Sequence, residues 1–244
     1  MPRNLIFRLC FAFLLVSTPC FGAPGNFAQA KKEALNVWLE HRQTFYCGCS
    51  FDKYGQINFK SCTYVPTDYR RDKWISWEHV VPVSWYGKKL DCWKKPICKT
   101  KKGKTLKGRK CCAKISPLFQ AMEADLHNLV PVIRSVNAKR ENFRFASFHL
   151  DENKDSFYFN ECPIIIDERY RLVEPPDNTK GMVARIGLYM ADKYGIDLGE
   201  RQRRLLTDWN NRYPTTPWEI KWNQKVAAIQ GDSNFYIDKK RTAE

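Results

Sequence analysis

Nowhere in these 244 residues is there an apolar run approaching the roughly 20 that a membrane-spanning helix needs. That argues against a helical span. There is no C-x-x-C pair, and Cys47-Gly48-Cys49 offers a poor ligand set, which argues against structural zinc. No segment repeats, so a solenoid or propeller is excluded. Acid is scarce, with 26 Asp and Glu against 41 Lys and Arg, for a formal net charge of +15. Histidine is rarer still, at four residues. An excess of positive charge this large favours a polyanionic partner, whether nucleic acid, anionic lipid or acidic polysaccharide. Charge alone does not choose among them.

The N-terminus follows the plan of a secretory signal peptide. Arg3 and Arg8 precede the apolar stretch Leu9–Val16, and small residues follow around Gly22 and Ala23. Cleavage is expected near Gly22 or Ala23, giving a leader of residues 1–22 and a mature domain of residues 23–244. Pro19 in front of Cys20 speaks against a lipoprotein. Losing Arg3 and Arg8 leaves a net charge of +13. Export also decides how the cysteines read. Eight remain (Cys47, Cys49, Cys62, Cys92, Cys98, Cys111, Cys112 and Cys162), an even count that implies four disulfides of undetermined pairing.

Along the chain, Asn26 and Gln29 predict a capped helix with Phe27, Ala30, Ala34, Leu35, Trp38 and Leu39 on one face. Phe45–Pro66 reads as short strands and loops. Trp74–Val83 reads as a strand turning into a second short one, with Pro82 limiting its pairing. Lys88–Lys114 holds twelve Lys or Arg, four Cys and the single acid Asp91, and reads as a loop tied down by its cysteines. Ser116-Pro117 opens a helix with Phe119, Met122 and Leu126 inward. A break at Asn128–Pro131 precedes another helix over about Ser135–Phe143. Arg171–Lys180 reads as a connector. Beyond it, apolar residues at helical spacing run through Met182–Met190 and Leu205–Trp209. Thr216-Pro217-Trp218-Glu219 then opens a last helix that Gly231 closes. The expected class is α+β: a mostly helical single domain with a small β-hairpin, stapled by disulfides.

Two segments carry chemistry. In Trp77-Glu78-His79-Val80-Val81-Pro82, Glu78 and His79 would point apart in mid-strand, but at a strand end or bulge both can reach one site. A carboxylate binds a hard cation through oxygen, and a neutral imidazole takes a proton from water near pH 7. The second segment is Asp125-Leu126-His127-Asn128-Leu129-Val130-Pro131, leading into Ser135-Val136-Asn137-Ala138-Lys139-Arg140. Asn128 falls on the loop and Asn137 on the following helix.

This order of hairpin, loop and helix resembles the ββα-metal (His-Me finger) nuclease core. The chain is more closely similar to the bacterial endonuclease I family of periplasmic and secreted nucleases. The resemblance runs through nearly all of the mature chain. It includes Glu78–Pro82, Cys92-Trp93, Gly108-Arg109-Lys110, Met122-Glu123, Asp125–Leu129, Val136-Asn137, Val173-Glu174-Pro175-Pro176, Tyr213-Pro214 and Gln230-Gly231. It implies an endonuclease hydrolysing DNA, and RNA as well, with little sequence preference and leaving 5′-phosphate ends. His79 would be the general base, while Glu78 and Asn137 would hold Mg²⁺, with Ca²⁺ or Mn²⁺ as alternatives. Arg109 would contact the cleaved phosphate, Glu123 would support the site, and Asn128 would brace the loop. No protein partner is implied, and a monomer is expected.

The chain departs from that pattern twice. Lys94–Lys107 is longer than the usual family loop and adds Cys98, which bears on the placing of Arg109. Arg134-Ser135 stands where the family has Gly-Glu. Lys99, Lys101, Lys102 and Lys104 in the long segment are candidates for tracking a phosphate backbone. The competing reading is a non-catalytic secreted DNA-binding protein, which would need neither a neutral base nor metal ligands.

Overall fold

The computed structural model describes residues 23–148 and 158–241, so the expected leader and His149 lie outside the described residues. The chain opens with α1 (Phe27–Trp38), α2 (Tyr69–Asp72), β1 (Ile75–His79), α3 (Val83–Gly87) and α4 (Asp91–Lys94). A small hairpin, β2 (Cys98–Lys99) and β3 (Thr105–Leu106), leads into α5 (Arg109–Ile115) and α6 (Pro117–Ala124). Then come β4 (Leu129–Ile133), α7 (Arg134–Arg140), β5 (Arg144–Phe145), β6 (Tyr158–Phe159), β7 (Cys162–Asp167) and β8 (Leu172–Glu174). The chain finishes on α8 (Asp177–Tyr194), α9 (Glu200–Arg212), α10 (Pro217–Gln230) and α11 (Phe235–Arg241). This is the mixed, helix-rich α+β domain expected.

The caps legible in the sequence are made. The Asn26 side chain accepts from the amides of Ala28 and Gln29, and Thr216 Oγ1 accepts from the amide of Glu219. Ser116 Oγ does the same for Phe119 as α5 hands over to α6. Helix α8 is buried almost all round from Thr179 to Ala191 and forms the axis of the core. It can sit so close to its neighbours because a side chain at Gly187 would meet Leu206 at 2.6 Å, and one at Gly181 would meet the Tyr213 carbonyl at 2.8 Å. Arg185 in α8 makes a forked, buried ion pair with Glu219 in α10, at 2.5 and 2.7 Å.

The strand pairing differs from expectation. The partner of β1 is β4, some 50 residues on, with Ile75 opposite Ile133 and His79 opposite Leu129 in unbroken antiparallel register. The segment after Pro82 is α3 rather than a second strand. Asn128–Pro131, read as a break, enters β4, all five residues of which are buried. A strand buried on both faces has no alternation to read. Pro131 lacks a donor, and its carbonyl accepts from Phe45 N at 2.7 Å. Lys88–Lys114 is likewise more than loop, holding α4, the β2–β3 hairpin and α5. The supposed connector carries β8, central with β7 in a sheet ordered β5-β8-β7-β6. Helix α7 packs on β1 and β4 and completes a ββα unit.

All eight cysteines among the described residues pair: Cys47–Cys162, Cys49–Cys62, Cys92–Cys112 and Cys98–Cys111. The last two hold the basic segment. Cys111 and Cys112 follow Arg109 within one turn of α5, so both bridges anchor the helix that carries that arginine.

Candidate active site

His79 is the last residue of β1, and Glu78 precedes it. The register is unbroken, so it is the strand end, not a bulge, that lets both reach one cavity of about 740 Å³. Arg109 and Asn137 line the same cavity, despite the long insertion before Arg109. Lys31, Arg134 and Arg171 also line it, so its walls are strongly cationic.

The imidazole of His79 is oriented by two contacts. Its Nε2 donates to the main-chain carbonyl of Glu123 at 2.8 Å. That bond puts the neutral proton on Nε2 and leaves Nδ1 with a free lone pair. Phe27, from α1, packs its ring 4.9 Å from that of His79. Burial pushes the pKa of His79 down to about 3, against the Glu123 carbonyl, with the Arg109 and Arg140 charges adding to the fall. His79 is therefore neutral over the physiological range.

Glu123 is bonded twice. While its carbonyl holds His79, its carboxylate takes Arg109 Nε at 2.5 Å. The Arg109 guanidinium also lies 5.0 Å from the Phe27 ring centroid, and its side chain is 43% exposed. Its remaining N–H donors are available to a ligand in the cavity.

Glu78 is almost wholly buried, and burial raises its pKa to about 7 in spite of the opposing charge of Arg140. Its Oε1 stands 3.1 Å from Arg140 Nη1, an ion-pair distance without hydrogen-bond alignment, so that oxygen has no hydrogen-bond partner. Asn137, on α7, uses Nδ2 to donate to the Trp77 carbonyl at 3.0 Å and to Ser76 Oγ at 3.3 Å. Its amide oxygen is left for a ligand. An orphaned carboxylate oxygen and a free amide oxygen are hard donors that fit a hard divalent cation. Among the described residues, no group of three or more His, Cys, Asp and Glu is placed to hold a metal. An ion at Glu78 and Asn137 would thus keep several positions for water or substrate oxygens.

Asn128 does not reach this cavity. Its amide makes a paired contact with Val81, accepting from the amide at 2.7 Å and donating to the carbonyl at 2.9 Å. His127 is also elsewhere. Its Nε2 donates to Asn223 Oδ1 at 2.9 Å, and its Nδ1 accepts from Gln230 at 3.2 Å, deep in the core. There it joins the buried Asp125, whose carboxylate takes Tyr194 and Lys193 at 2.8 and 2.9 Å. His41 stacks on Trp218 at 4.9 Å, away from the cavity. Lys99, Lys101, Lys102 and Lys104 are all exposed, on the β2–β3 hairpin and its turn.

Sequence reasoning passed over Arg140. It is fully buried beneath the strand end, donating to the carbonyls of His79 and Val80 at 3.3 and 2.7 Å beside Glu78. The available signal was its position three residues after Asn137, on the same face of α7.

An acid, an imidazole and an amide on a ββα unit, set in a cation-walled cavity, define the ββα-metal class. Within it, the chain belongs to the endonuclease I family, whose family model matches residues 29–241. It is 37% identical to an extracellular deoxyribonuclease of Aeromonas hydrophila, over 98% of this chain and 99% of that one. It is 35% identical to a periplasmic deoxyribonuclease of the same organism, over 93% and 91% of the two chains. An endonuclease-1 of Buchnera aphidicola is 34% identical over 96% and 94%. Among the described residues, no helix is long and apolar enough to cross a membrane.

Proposed function

We propose that this protein is a secreted or periplasmic endonuclease that hydrolyses phosphodiester bonds of DNA, and of RNA, with little sequence preference. The observation that carries the reading is His79, whose Nε2 is committed to a carbonyl and whose neutral Nδ1 keeps a free lone pair in the cavity that Glu78, Asn137 and Arg109 also line. The names of the relatives support the substrate class and the compartment. Residues 1–22 would be removed as a signal peptide, leaving residues 23–244 as one monomeric catalytic domain.

Glu78 and Asn137 would hold a divalent cation: magnesium, with calcium or manganese able to substitute. When bound, it offsets the charge of the phosphodiester and of the departing oxygen. His79 Nδ1 takes a proton from water, whose oxygen attacks phosphorus, and the bond to the 3′ oxygen breaks. That oxygen takes a proton from solvent to become the 3′-hydroxyl, leaving a 5′-phosphate on the other fragment. Arg109 donates N–H bonds to the non-bridging phosphate oxygens. Glu123 keeps His79 and Arg109 in place relative to each other. Purified protein with plasmid is the direct test: nicking and linearisation with Mg²⁺ are expected, and none with EDTA. Metal titration then separates the asparagines. Asn137→Ala should need far more metal for half-maximal activity, whereas Asn128→Ala should lose stability with its metal requirement unchanged. Equal metal dependence in Asn137→Ala and wild type would show that the wrong ligand was chosen.

The lysine hairpin serves substrate affinity. Its cations stand in solvent just ahead of Arg109, where they can lie along the backbone leading into the cavity, and phosphate contacts carry no base information. Replacing Lys99, Lys101, Lys102 and Lys104 with Ser, with Cys98 kept, should raise KM and leave kcat nearly unchanged. The salt slope of log affinity should become shallower by roughly two to four units. An unmoved slope and KM would place the nucleic-acid track elsewhere.

A further inference from the structure

Arg171 lies in the turn between β7 and β8, yet it lines the same cavity as His79. Its backbone stands at φ 55°. Glu141, at the C-terminal end of α7 and also lining the cavity, stands at φ 50° and ψ −125°. Non-glycine residues seldom hold such angles, and when they do the surrounding structure imposes them, often beside a binding site. Here the two strained residues face each other. Arg171 Nη2 is 3.3 Å from Glu141 Oε2 and donates also to Asn142 Oδ1. The guanidinium lies 4.5 Å from the centroid of Phe143, and Asn142 is itself tied to Ser84 Oγ at 3.1 Å.

Arg140 and Arg185, two arginines that tie elements together in the core, have side chains 0% and 1% exposed. Arg171 is held flat and aimed with its side chain 56% exposed. Its contacts share no residue with those of Arg109. Glu141 sits four residues after Asn137, about 6 Å further along the helix, a distance on the scale of one nucleotide step. Without a ligand, the Glu141 carboxylate occupies Arg171 as an anion would, and a polyanion has to compete with it for that guanidinium.

Building on the nuclease reading, we infer that Arg171 is a second phosphate contact. It binds the backbone phosphate next to the scissile one, and that phosphate takes the place of the Glu141 carboxylate on Nη2. Asn142 and Phe143 keep the guanidinium in plane during the exchange, so its orientation does not have to be found anew when substrate arrives. The contact reads charge and spacing, not bases.

The experiment measures binding of a short DNA duplex in EDTA over a range of salt, and kcat and KM with Mg²⁺. The variants are Arg171→Ala, Arg171→Lys, Glu141→Gln and, as a control, Arg204→Ala, an exposed cation on α9 outside this cavity. Arg171→Ala should bind several-fold more weakly, with the salt slope of log affinity lower by about 0.9 and the loss of activity chiefly in KM. Arg171→Lys should keep the slope and recover part of the affinity, and Glu141→Gln should bind more tightly than wild type. Arg204→Ala should match wild type. An unchanged slope in Arg171→Ala, with or without a lower melting temperature, overturns the inference, as does weaker binding by Glu141→Gln. If wild type cleaves neither DNA nor RNA, the nuclease reading itself fails. Cleavage by wild type with an unmoved Arg171→Ala slope removes only the role of Arg171.

Discussion

His79→Ala should abolish plasmid cleavage while duplex binding in EDTA and the far-UV spectrum stay as in wild type. Proton abstraction by a positioned base is worth roughly 10²–10⁴-fold, and no second histidine among the described residues lines the cavity to replace it. Of the other described histidines, His41 stacks on Trp218 and His127 is spent on Asn223 and Gln230 in the core. Truncation also strips the Glu123 carbonyl of its donor, at a cost of about 1–3 kcal/mol. A companion variant, His79→Gln, can keep an amide donor to that carbonyl and still offers no comparable base. Both should be folded and inactive. Near-normal turnover in either folded variant would remove His79 from the mechanism.

Reduction should silence the enzyme almost completely. Closing the 115-residue separation between Cys47 and Cys162 is worth about 5 kcal/mol in the chain-entropy account, and each 13-residue loop about 3. The nested bridges Cys92–Cys112 and Cys98–Cys111 overlap, so their effects do not add. Even so, the total rivals the whole stability of an ordinary domain, about 5–15 kcal/mol. The second consequence is local. Releasing Cys111 and Cys112 frees α5, and with it Arg109 and the lysine hairpin. Treatment with a thiol reductant should therefore lower the melting temperature steeply and remove activity, and reoxidation should restore both. Full activity in protein that titrates eight free thiols would contradict this. A reduced precursor would be inert before export, sparing the producer's own nucleic acid. That consequence is tested by assaying protein made in a reducing cytoplasm against the same chain oxidised afterwards.

Much of the helical framework was legible because local chemistry wrote it: Asn26, Ser116-Pro117, Thr216-Pro217 and Gly231 mark helix ends by hydrogen bonds made within a few residues. The Glu78-His79 pair was legible for the same reason, being adjacent in sequence. Asn137 needed the family resemblance to be singled out, and the helix carrying it was visible. Strand β4 was not, since burial on both faces erases the alternation by which a strand is recognised. Arg140 and Arg171 were overlooked because nothing beside them in sequence shows their partners. Arg140 meets Glu78 and the strand end only after α7 folds back, and Arg171 meets Glu141 only across the sheet.

Composition and local motifs were enough to mark out a basic, cysteine-paired α+β chain with an adjacent Glu78-His79 pair, and the family resemblance added Asn137. Those properties are carried by residue types and by neighbours within a turn of helix, so they survive in one dimension. Which cysteines join, that β1 pairs with a strand some 50 residues away, and that Glu123 binds His79 through its main chain and Arg109 through its side chain came only from the tertiary structure. Those contacts depend on long loop closures, and on a carbonyl that is chemically the same at every residue. No pattern of side chains can announce them.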